Sequence, residues 1–282
     1  MTRTLAKALF ILFVVIPSFL GLSYALGVSF GLIGLGNGAP SFTLSHWEVM
    51  FSEGRLMKSI GYTILLAASA IAGAALIALG LLSPLLKRMP GNTLPWFYFV
   101  PLGIPPIVAA FFTFSALANT GLLSRIAVKL GMIPDASSFP ILINDELGIG
   151  VWLTHVMLAF PFFLILFLSS AKTQEVHRLR ETASSLGASS AYILRKVIRP
   201  IVIRKNAPLL IIWFIFVLGT YEIPLLLGGQ KIRPVALVII DKMRGYSLAT
   251  IPEGYAMSAF YAVFIMALSF LLVKLISRRY DA

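Results

Sequence analysis

The sequence predicts an all-α polytopic membrane protein, with six transmembrane helices in one domain. Only 12% of its 282 residues are charged, whereas soluble domains carry about 25%. Its mean hydropathy is +0.92, and six apolar runs reach the roughly 20 residues that a helix needs to cross a bilayer. One long basic segment interrupts these runs, and its apolar spacing indicates a helix-turn-helix between the fourth and fifth spans.

Polar, glycine-rich or proline-rich loops separate the predicted spans. The spans cover residues 8–30, 59–83, 95–118, 147–170, 208–227 and 255–276, and the basic loop covers 171–207. We predict that the first span is an uncleaved anchor, because its apolar run continues past the small residues that resemble a signal-peptidase site. The segment 42–51 is typical of a short interfacial helix with Trp47 at the level of the lipid headgroups.

The third predicted span cannot form a straight helix. Helix-breaking residues occupy four of its positions, which are Pro101, Gly103, Pro105 and Pro106. A broken helix at membrane depth is stable only where protein covers it or where it lines a water-filled cavity. The break therefore belongs either to a solute pathway or to a packing kink with no further role.

Basic residues are distributed unevenly between the two sides of the predicted bundle. Fifteen of the 23 lysines and arginines lie before the first span, after the second, after the fourth or at the end of the sixth, and eight lie on the other side. The positive-inside rule then places both termini and the basic loop in the cytoplasm. The net charge of +12 is not accompanied by a nucleic-acid-binding motif, so we predict anionic lipid, not nucleic acid, as the partner of this charge.

The sequence contains no pattern of catalytic or metal-binding residues. It has no cysteine, and its three histidines, His46, His155 and His177, are far apart without metal-ligand spacing. A phosphate-binding loop and a nucleophile elbow are also missing. We therefore expect no catalytic residue, no metal site and no cofactor held by this chain. His155 lies within the fourth span without an evident mate, and we interpret it as a hydrogen-bonded core residue or a pathway-lining one.

The basic loop contains two amphipathic helices separated by a glycine. The apolar stripe of the first helix consists of Val176, Leu179, Ala183 and Leu186. Gly187 follows, where a helix ends most easily because glycine tolerates a positive φ angle. Ser189 or Ser190 can cap the second helix, and we predict that Pro200 marks its end. A surface helix pair of this kind rests either on the membrane or on a partner protein.

Glu222 lies at the outer end of the fifth predicted span, in the segment Tyr221-Glu-Ile-Pro224. A carboxylate at membrane depth costs several kcal/mol unless it is paired or hydrated, so such residues are candidates for function. Pro224 would loosen the helix and free backbone carbonyls nearby. One hypothesis is that Tyr221 and Glu222 line the outer part of a substrate path. The alternative is that Glu222 bonds Lys231 or Arg233 of the next loop.

The basic loop resembles the EAA loop of ABC importer permeases. That family's pattern is Glu-Ala-Ala, three residues, Gly, nine residues, Ile, one residue, Leu-Pro, and the spacing here is the same. Its positions are held by Glu181, Thr182, Ala183, Gly187, Val197, Arg199 and Pro200. Thr182, Val197 and Arg199 depart from the pattern, and the arginine affects only the packing near the end of the second helix. The loop also lies between the fourth and fifth of six spans, as in that family.

The resemblance implies a mechanical role for the basic loop. In such permeases the first short helix docks into a cleft on a separate ATPase subunit. By carry-over, Glu181 pairs with a basic group there, Ala183 and Leu186 lie at the contact, and Gly187 makes the turn. The implied partners are two ATPase subunits that hold ATP and Mg²⁺, a second and different permease, and an external substrate-binding protein. The implied location is the bacterial inner membrane.

The substrate is less defined than the class of protein. The segment 221–229 is similar to one in permeases for polyamines, ferric iron, thiamine and 2-aminoethylphosphonate, which favours a small polar solute over the sugar branch of the family. A sugar importer stays open as an alternative. An ion- or proton-driven carrier that uses Glu222 and His155, and a membrane scaffold without a solute path, are alternatives of other classes.

Overall fold

The computed structural model describes residues 2–34, 40–88, 96–245 and 248–280, and these residues form helices and loops without a β-strand. The helices are α1 (Thr4–Ser29), α2 (Ser45–Ser52), α3 (Arg55–Arg88), α4 (Pro106–Leu117), α5 (Leu122–Lys129), α6 (Ile149–Ala171), α7 (Gln174–Ser185), α8 (Ser190–Gly219), α9 (Glu222–Leu227), α10 (Val235–Met243) and α11 (Ile251–Tyr280). The predicted all-α polytopic fold is confirmed, since six helical segments of the described chain are long and apolar enough to cross a membrane.

The third span lies further along the chain than predicted. Residues Trp96–Gly103 form a 3₁₀ helix, Pro105 is extended, and the membrane-length segment is Pro106–Lys129, which comprises α4 and α5. The predicted break is therefore present, but the regular helix begins only after it. Pro106 is compatible with this start because a proline in the first helical turn has no amide hydrogen to leave unbonded. Residue 95, the first of the predicted span, lies outside the described residues.

The second helix of the basic loop does not end at Pro200, and this prediction was wrong. The helix α8 runs without interruption from Ser190 to Gly219, so the loop's second helix and the fifth span are one element. A π-helical turn at Leu194–Ile198 precedes Pro200 and closes with a bond from the Arg199 amide to the Leu194 carbonyl. This wider turn opens the helix where regular geometry would bring the proline ring against a backbone carbonyl. The membrane-length helix consequently begins 18 residues before position 208.

Two short helices occupy segments that were predicted to be loops. The helix α5 lies after position 118, where the third predicted span ends, and α10 lies between the fifth and sixth spans. The apolar run that starts α10 is too short to cross a bilayer, and its side chains Val235, Leu237 and Val238 are buried. Helix length, rather than hydrophobicity, therefore separates α10 from the spans.

Two compact units make up the chain. One comprises Met1–Gly61 and Pro234–Leu268, and within it Phe30 stacks on Trp47 with 5.3 Å between ring centroids. The other comprises Tyr62–Arg233 and Ser269–Ala282 and contains the basic loop. The second unit is built around a cluster of buried apolar side chains, which are Leu66, Ala110, Leu117, Ile143, Val151, Ile223 and Leu227. This cluster joins α9 to α4 and α6.

Candidate functional site

The helix α7 ends directly before a turn at Gly187, as the sequence predicts. Gly187 has a φ angle of +81°, in the left-handed region that favours glycine. Its amide donates to the Ser184 carbonyl at 3.0 Å, and the Ala188 amide donates to the Ala183 carbonyl at 3.0 Å. This pair of bonds is a Schellman motif, which satisfies the last carbonyls of a helix. The turn between the two helices of the basic loop is therefore fixed by backbone geometry at one residue.

The helix α8 begins directly after this turn. The Ser189 hydroxyl accepts a hydrogen bond from the Tyr192 amide at 3.3 Å, so Ser189 is the cap that the sequence left open between two serines. At the other end of the loop, Asn206 of α8 donates to the Ser170 hydroxyl of α6 at 2.8 Å. Both side chains are buried. The loop is thus tied to the fourth span, and its second helix enters the fifth without a flexible joint.

Only part of the predicted apolar stripe is covered by the chain itself. Val176 is buried and Ala183 is half-buried, but Leu179 is 42% exposed and Leu186 is 83% exposed. Leu179 and Leu186 are seven residues apart, which is the spacing at which one helix face presents anchors to a groove on another protein. The stripe therefore has an inner half that anchors α7 and an outer half that is free.

Glu181 lies on the exposed surface of α7. Its side chain is 67% exposed, and its carboxylate lies 3.4 Å from Nδ1 of His177, one helical turn earlier. An exposed pair of this kind contributes little to stability, so the carboxylate can exchange this neighbour for a stronger basic partner. Glu181, Ala183, Leu186 and Gly187 thus lie along one short stretch that ends in a rigid turn.

The fifth span is broken at Thr220 and Tyr221. The helix α8 ends at Gly219, Thr220 is extended with φ −72° and ψ 136°, and α9 starts at Glu222. Tyr221 is 38% exposed, Glu222 is half-buried and Pro224 is buried. The sequence predicted a loosened helix near Pro224, and the structure places the break just before that proline, because the first turn of a helix accepts it.

Glu222 does not bond the next loop. Lys231 pairs instead with Glu146, with 2.8 Å between Nζ and Oε2, and Arg233 donates to Oε1 of Gln230. Within the described chain, no hydrogen bond or ion pair reaches the Glu222 carboxylate. The alternative that Glu222 serves to hold Lys231 or Arg233 is therefore wrong, and the carboxylate is available to another group.

The helix α9 is held firmly despite its short length. Its Ile223 and Leu227 side chains are fully buried in the apolar cluster of the second unit. The Leu227 carbonyl accepts a hydrogen bond from the Asn144 amide at 2.9 Å. Beyond the helix, a Cβ atom on Gly229 would lie 2.3 Å from the Asp145 carbonyl oxygen, so only glycine allows this approach. Tyr221 and Glu222 are consequently presented by an anchored segment.

His155 has a hydrogen-bonding partner that the sequence did not reveal. Its Nε2 atom lies 3.3 Å from the Thr220 hydroxyl oxygen, at the break in the fifth span. The two residues are 65 positions apart, so no local pattern could have paired them. A polar side chain inside an apolar run was the only signal in the sequence. The described residues contain no cluster of acidic side chains and histidines that could hold a metal ion.

Two solved structures have folds similar to this chain. The crystal structure of a bacterial ABC transporter involved in the import of the acidic polysaccharide alginate matches with 15% identity and a TM-score of 0.64, over 97% of this chain and 92% of that chain. The structure of the bacterial alginate ABC transporter in complex with alginate pentasaccharide-bound periplasmic protein matches with 16% identity and a TM-score of 0.62, over 99% of this chain and 93% of that chain. Identities this low show a shared fold alone.

A family relationship is evident from the sequence itself. No curated protein sequence matches the chain. The sequence model of the family described as "binding-protein-dependent transport system inner membrane component" matches residues 76–282, which include the basic loop and the broken fifth span. The chain therefore belongs to this family of inner membrane permease components of ABC importers.

Proposed function

We propose that this ABC importer permease transmits the motion of separate ATPase subunits to its spans through the basic loop. The observation that carries the proposal is the rigid turn at Gly187 beside an uncovered apolar surface at Leu186. An amphipathic helix binds a groove by anchors spaced along one face, and Leu179 and Leu186 supply such anchors. Glu181 adds a carboxylate that can pair with a basic group of the ATPase.

The link from the loop to the membrane is direct on both sides. On one side, α7 follows α6 after two residues, and on the other α8 is a continuous helix into the fifth span. The hydrogen bond between Asn206 and Ser170 joins these two helices near the loop. A force on α7 would therefore move the fourth and fifth spans together instead of bending a loop.

The partners follow from what the chain lacks and what its family does. ATP and Mg²⁺ would bind the two ATPase subunits, since this sequence has no phosphate-binding loop. A second permease, which we propose to be a different chain, would complete the solute path, and an external binding protein would deliver the solute. The alginate transporter of one similar structure is in complex with a periplasmic protein, which agrees with such delivery. The excess of lysine and arginine supports cytoplasmic termini in a bacterial inner membrane.

The outer part of the solute path would be formed at the break in the fifth span. Tyr221 and Glu222 precede a buried Pro224, and the Glu222 carboxylate has no partner in the described chain. An unpaired carboxylate in an apolar helix end is retained most readily where it meets solute or water. We propose a small polar solute, such as a polyamine, iron, thiamine or aminoethylphosphonate. A sugar importer is the second candidate, and the likeness to alginate transporters is compatible with it.

The proposal is tested by substituting Gly187 in the complete transporter. Gly187→Val forces a β-branched residue into a left-handed conformation at a cost of about 1–2 kcal/mol, with no clash because open space surrounds this position. We expect ATP-driven uptake into proteoliposomes and retention of the ATPases during purification to fall, while the permease still inserts.

The matched control is Gly131→Val. Gly131 has a φ angle of +68° in equally open space, and it ends α5 with the same pair of backbone bonds. This substitution carries the same backbone strain outside the basic loop, so uptake should be retained. Equal uptake by the two variants would refute the proposed coupling. Uptake driven by a proton gradient without ATP would point instead to an ion-coupled carrier.

A further inference from the structure

At the break in the fifth span, the Thr220 side chain is hydrogen-bonded to the backbone of the preceding helix. The Thr220 hydroxyl donates to the Val217 carbonyl at 2.9 Å, and the Thr220 amide points to the same carbonyl at 3.2 Å. A hydroxyl group has one hydrogen to donate and two lone pairs to accept with. Once this hydrogen is given to Val217, the Thr220 oxygen can only accept from another group.

One tautomer of His155 lets both contacts be made at once. When Nε2, which lies 3.3 Å from the Thr220 oxygen, carries the hydrogen, it donates to that oxygen while the hydroxyl donates to Val217. The neutral imidazole then has a bare lone pair at Nδ1. The His155 side chain is 1% exposed, and Nδ1 has no hydrogen-bond partner in the described chain. An apolar residue of similar size would avoid this unmet acceptor, so packing alone does not account for a histidine here.

The contact holds the break in the fifth span against α6. The helix α9 is attached to the start of α6 and its preceding loop, through Ile223 and Leu227 in the core and the bond from Asn144. At the break itself, the hydrogen bond from His155 of α6 is the polar contact that holds Thr220 to another span. The extended residue Thr220 is the place where α8 and α9 can change their angle.

We propose that His155 is a positioning residue that fixes this break, so that Thr220 and the start of α9 keep their place against α6 during transport. His155 acts on the solute path through Thr220 and sets how Tyr221 and Glu222 are presented. The inference rests on the proposed role of these two residues in the path. It assigns His155 a task that differs from proton transfer, since neither ring nitrogen needs to titrate.

The first experiment compares single and double variants in the complete transporter. Thr220→Val and His155→Leu both remove the bond, and we expect solute transported per ATP hydrolysed to fall about threefold to tenfold, as loss of one hydrogen bond allows. The double variant should be no worse than either single one. Thr220→Ser keeps the hydroxyl and should restore coupling. Additive losses in the double variant, or a full loss in Thr220→Ser, would overturn the proposal.

Thr154→Val is the matched control. Thr154 is the buried neighbour of His155, and its hydroxyl contacts Thr113 at 2.9 Å rather than the break. Its removal deletes a buried hydroxyl from the same turn of α6, so thermal stability should fall about as much as in Thr220→Val. Transport per ATP should stay near the parent value. If Thr154→Val uncouples equally, His155 and Thr220 are only structural.

A spectroscopic experiment detects the contact between His155 and Thr220 without a transport assay. The chain has three histidines, so ¹⁵N-histidine spectra of the full chain in lipid are simple, and His155→Leu assigns the resonance. We expect the Nε2–H tautomer with an unprotonated Nδ1, altered by Thr220→Val and unaltered by Thr154→Val. An Nδ1–H tautomer would overturn the assignment. If the tautomer and the coupling loss are found but Tyr221→Ala and Glu222→Gln transport normally, the proposed path fails while the hold on the break stands.

Discussion

Arg199 of α8 donates a hydrogen bond to the Leu79 carbonyl of α3, with 3.3 Å between Nη2 and the oxygen. The two residues are 120 positions apart, and the contact ties the helix of the basic loop to the second span. Arg199 stands where the EAA pattern has leucine, so the departure from the pattern has a structural counterpart. Its Nε atom, however, is buried without a partner in the described chain.

We expect Arg199→Leu to be tolerated and Arg199→Glu to be harmful. Leucine removes the unmet Nε donor, and the Leu79 carbonyl keeps its position inside a regular helix, so the melting temperature should change little. Glutamate places a carboxylate against a carbonyl oxygen and leaves it unsatisfied, at a cost of about 1–3 kcal/mol. Thermal unfolding of the detergent-solubilised chain measures both. A lower melting temperature for Arg199→Leu than for Arg199→Glu would contradict the interpretation.

Leu186→Ser should weaken ATPase binding without affecting the fold. The side chain is 83% exposed, and surface substitutions usually change stability by less than about 0.5 kcal/mol. Burying a leucine in a partner contributes about 1.5–3 kcal/mol, which corresponds to a loss of affinity of roughly tenfold to a hundredfold. A titration of the purified ATPase against the permease measures this. Leu147→Ser, at a leucine that is 78% exposed elsewhere, is the control and should bind normally.

Lys242→Met should destabilise the unit that contains α2 and α10. The Lys242 ammonium lies 2.6 Å from both Glu53 and Glu253 and is 16% exposed. Its loss leaves two carboxylates facing each other, and hydrogen bonds to charged groups contribute about 1.5–3 kcal/mol each. Adding Glu53→Gln to Lys242→Met should recover part of the loss, as measured by thermal unfolding. No recovery would show that the charges do not interact as the geometry indicates.

The cluster of Lys242, Glu53 and Glu253 also predicts how stability depends on pH. Burial lowers the pKa of Lys242, but hydrogen bonds to Glu253 and Glu53 outweigh this and raise the pKa above the ordinary value of 10.5. A raised folded pKa means that the stabilisation is fully present below the unfolded pKa and is lost as the pH rises through the folded one. The destabilisation by Lys242→Met should therefore be constant from about pH 7 to 9 and shrink only in stronger alkali. A difference that vanishes by pH 8 would contradict this.

Glu222→Gln should leave stability unchanged and alter transport. The carboxylate has no partner in the described chain, so the isosteric amide breaks no contact. If Glu222 lines the path, the Michaelis constant for uptake should rise several-fold at a constant amount of permease. Glu146→Gln removes a carboxylate that pairs with Lys231 on the exposed surface, and uptake should be retained. Identical Michaelis constants for parent and Glu222→Gln would exclude a path role.

The sequence by itself determined the number of spans, the helix-turn-helix and the turn at Gly187. Each of these depends on local properties, namely the length of an apolar run, helical spacing and the tolerance of glycine for a positive φ angle. For the same reason, the sequence limited the cap of α8 to Ser189 or Ser190, and the structure shows that it is Ser189. Local rules did not give the end of α8, because a π-helical turn accommodates Pro200 and lets the helix continue.

Only the tertiary structure decided which polar residues meet. It paired His155 with Thr220, Arg199 with the Leu79 carbonyl, and Lys231 with Glu146 rather than Glu222. The partners in each pair are far apart in sequence, so their distances depend on how the helices pack and leave no periodic trace in the chain. In an apolar environment, an unmatched polar group is costly, so the position of each such contact is set by the packing of the helices and not by local sequence.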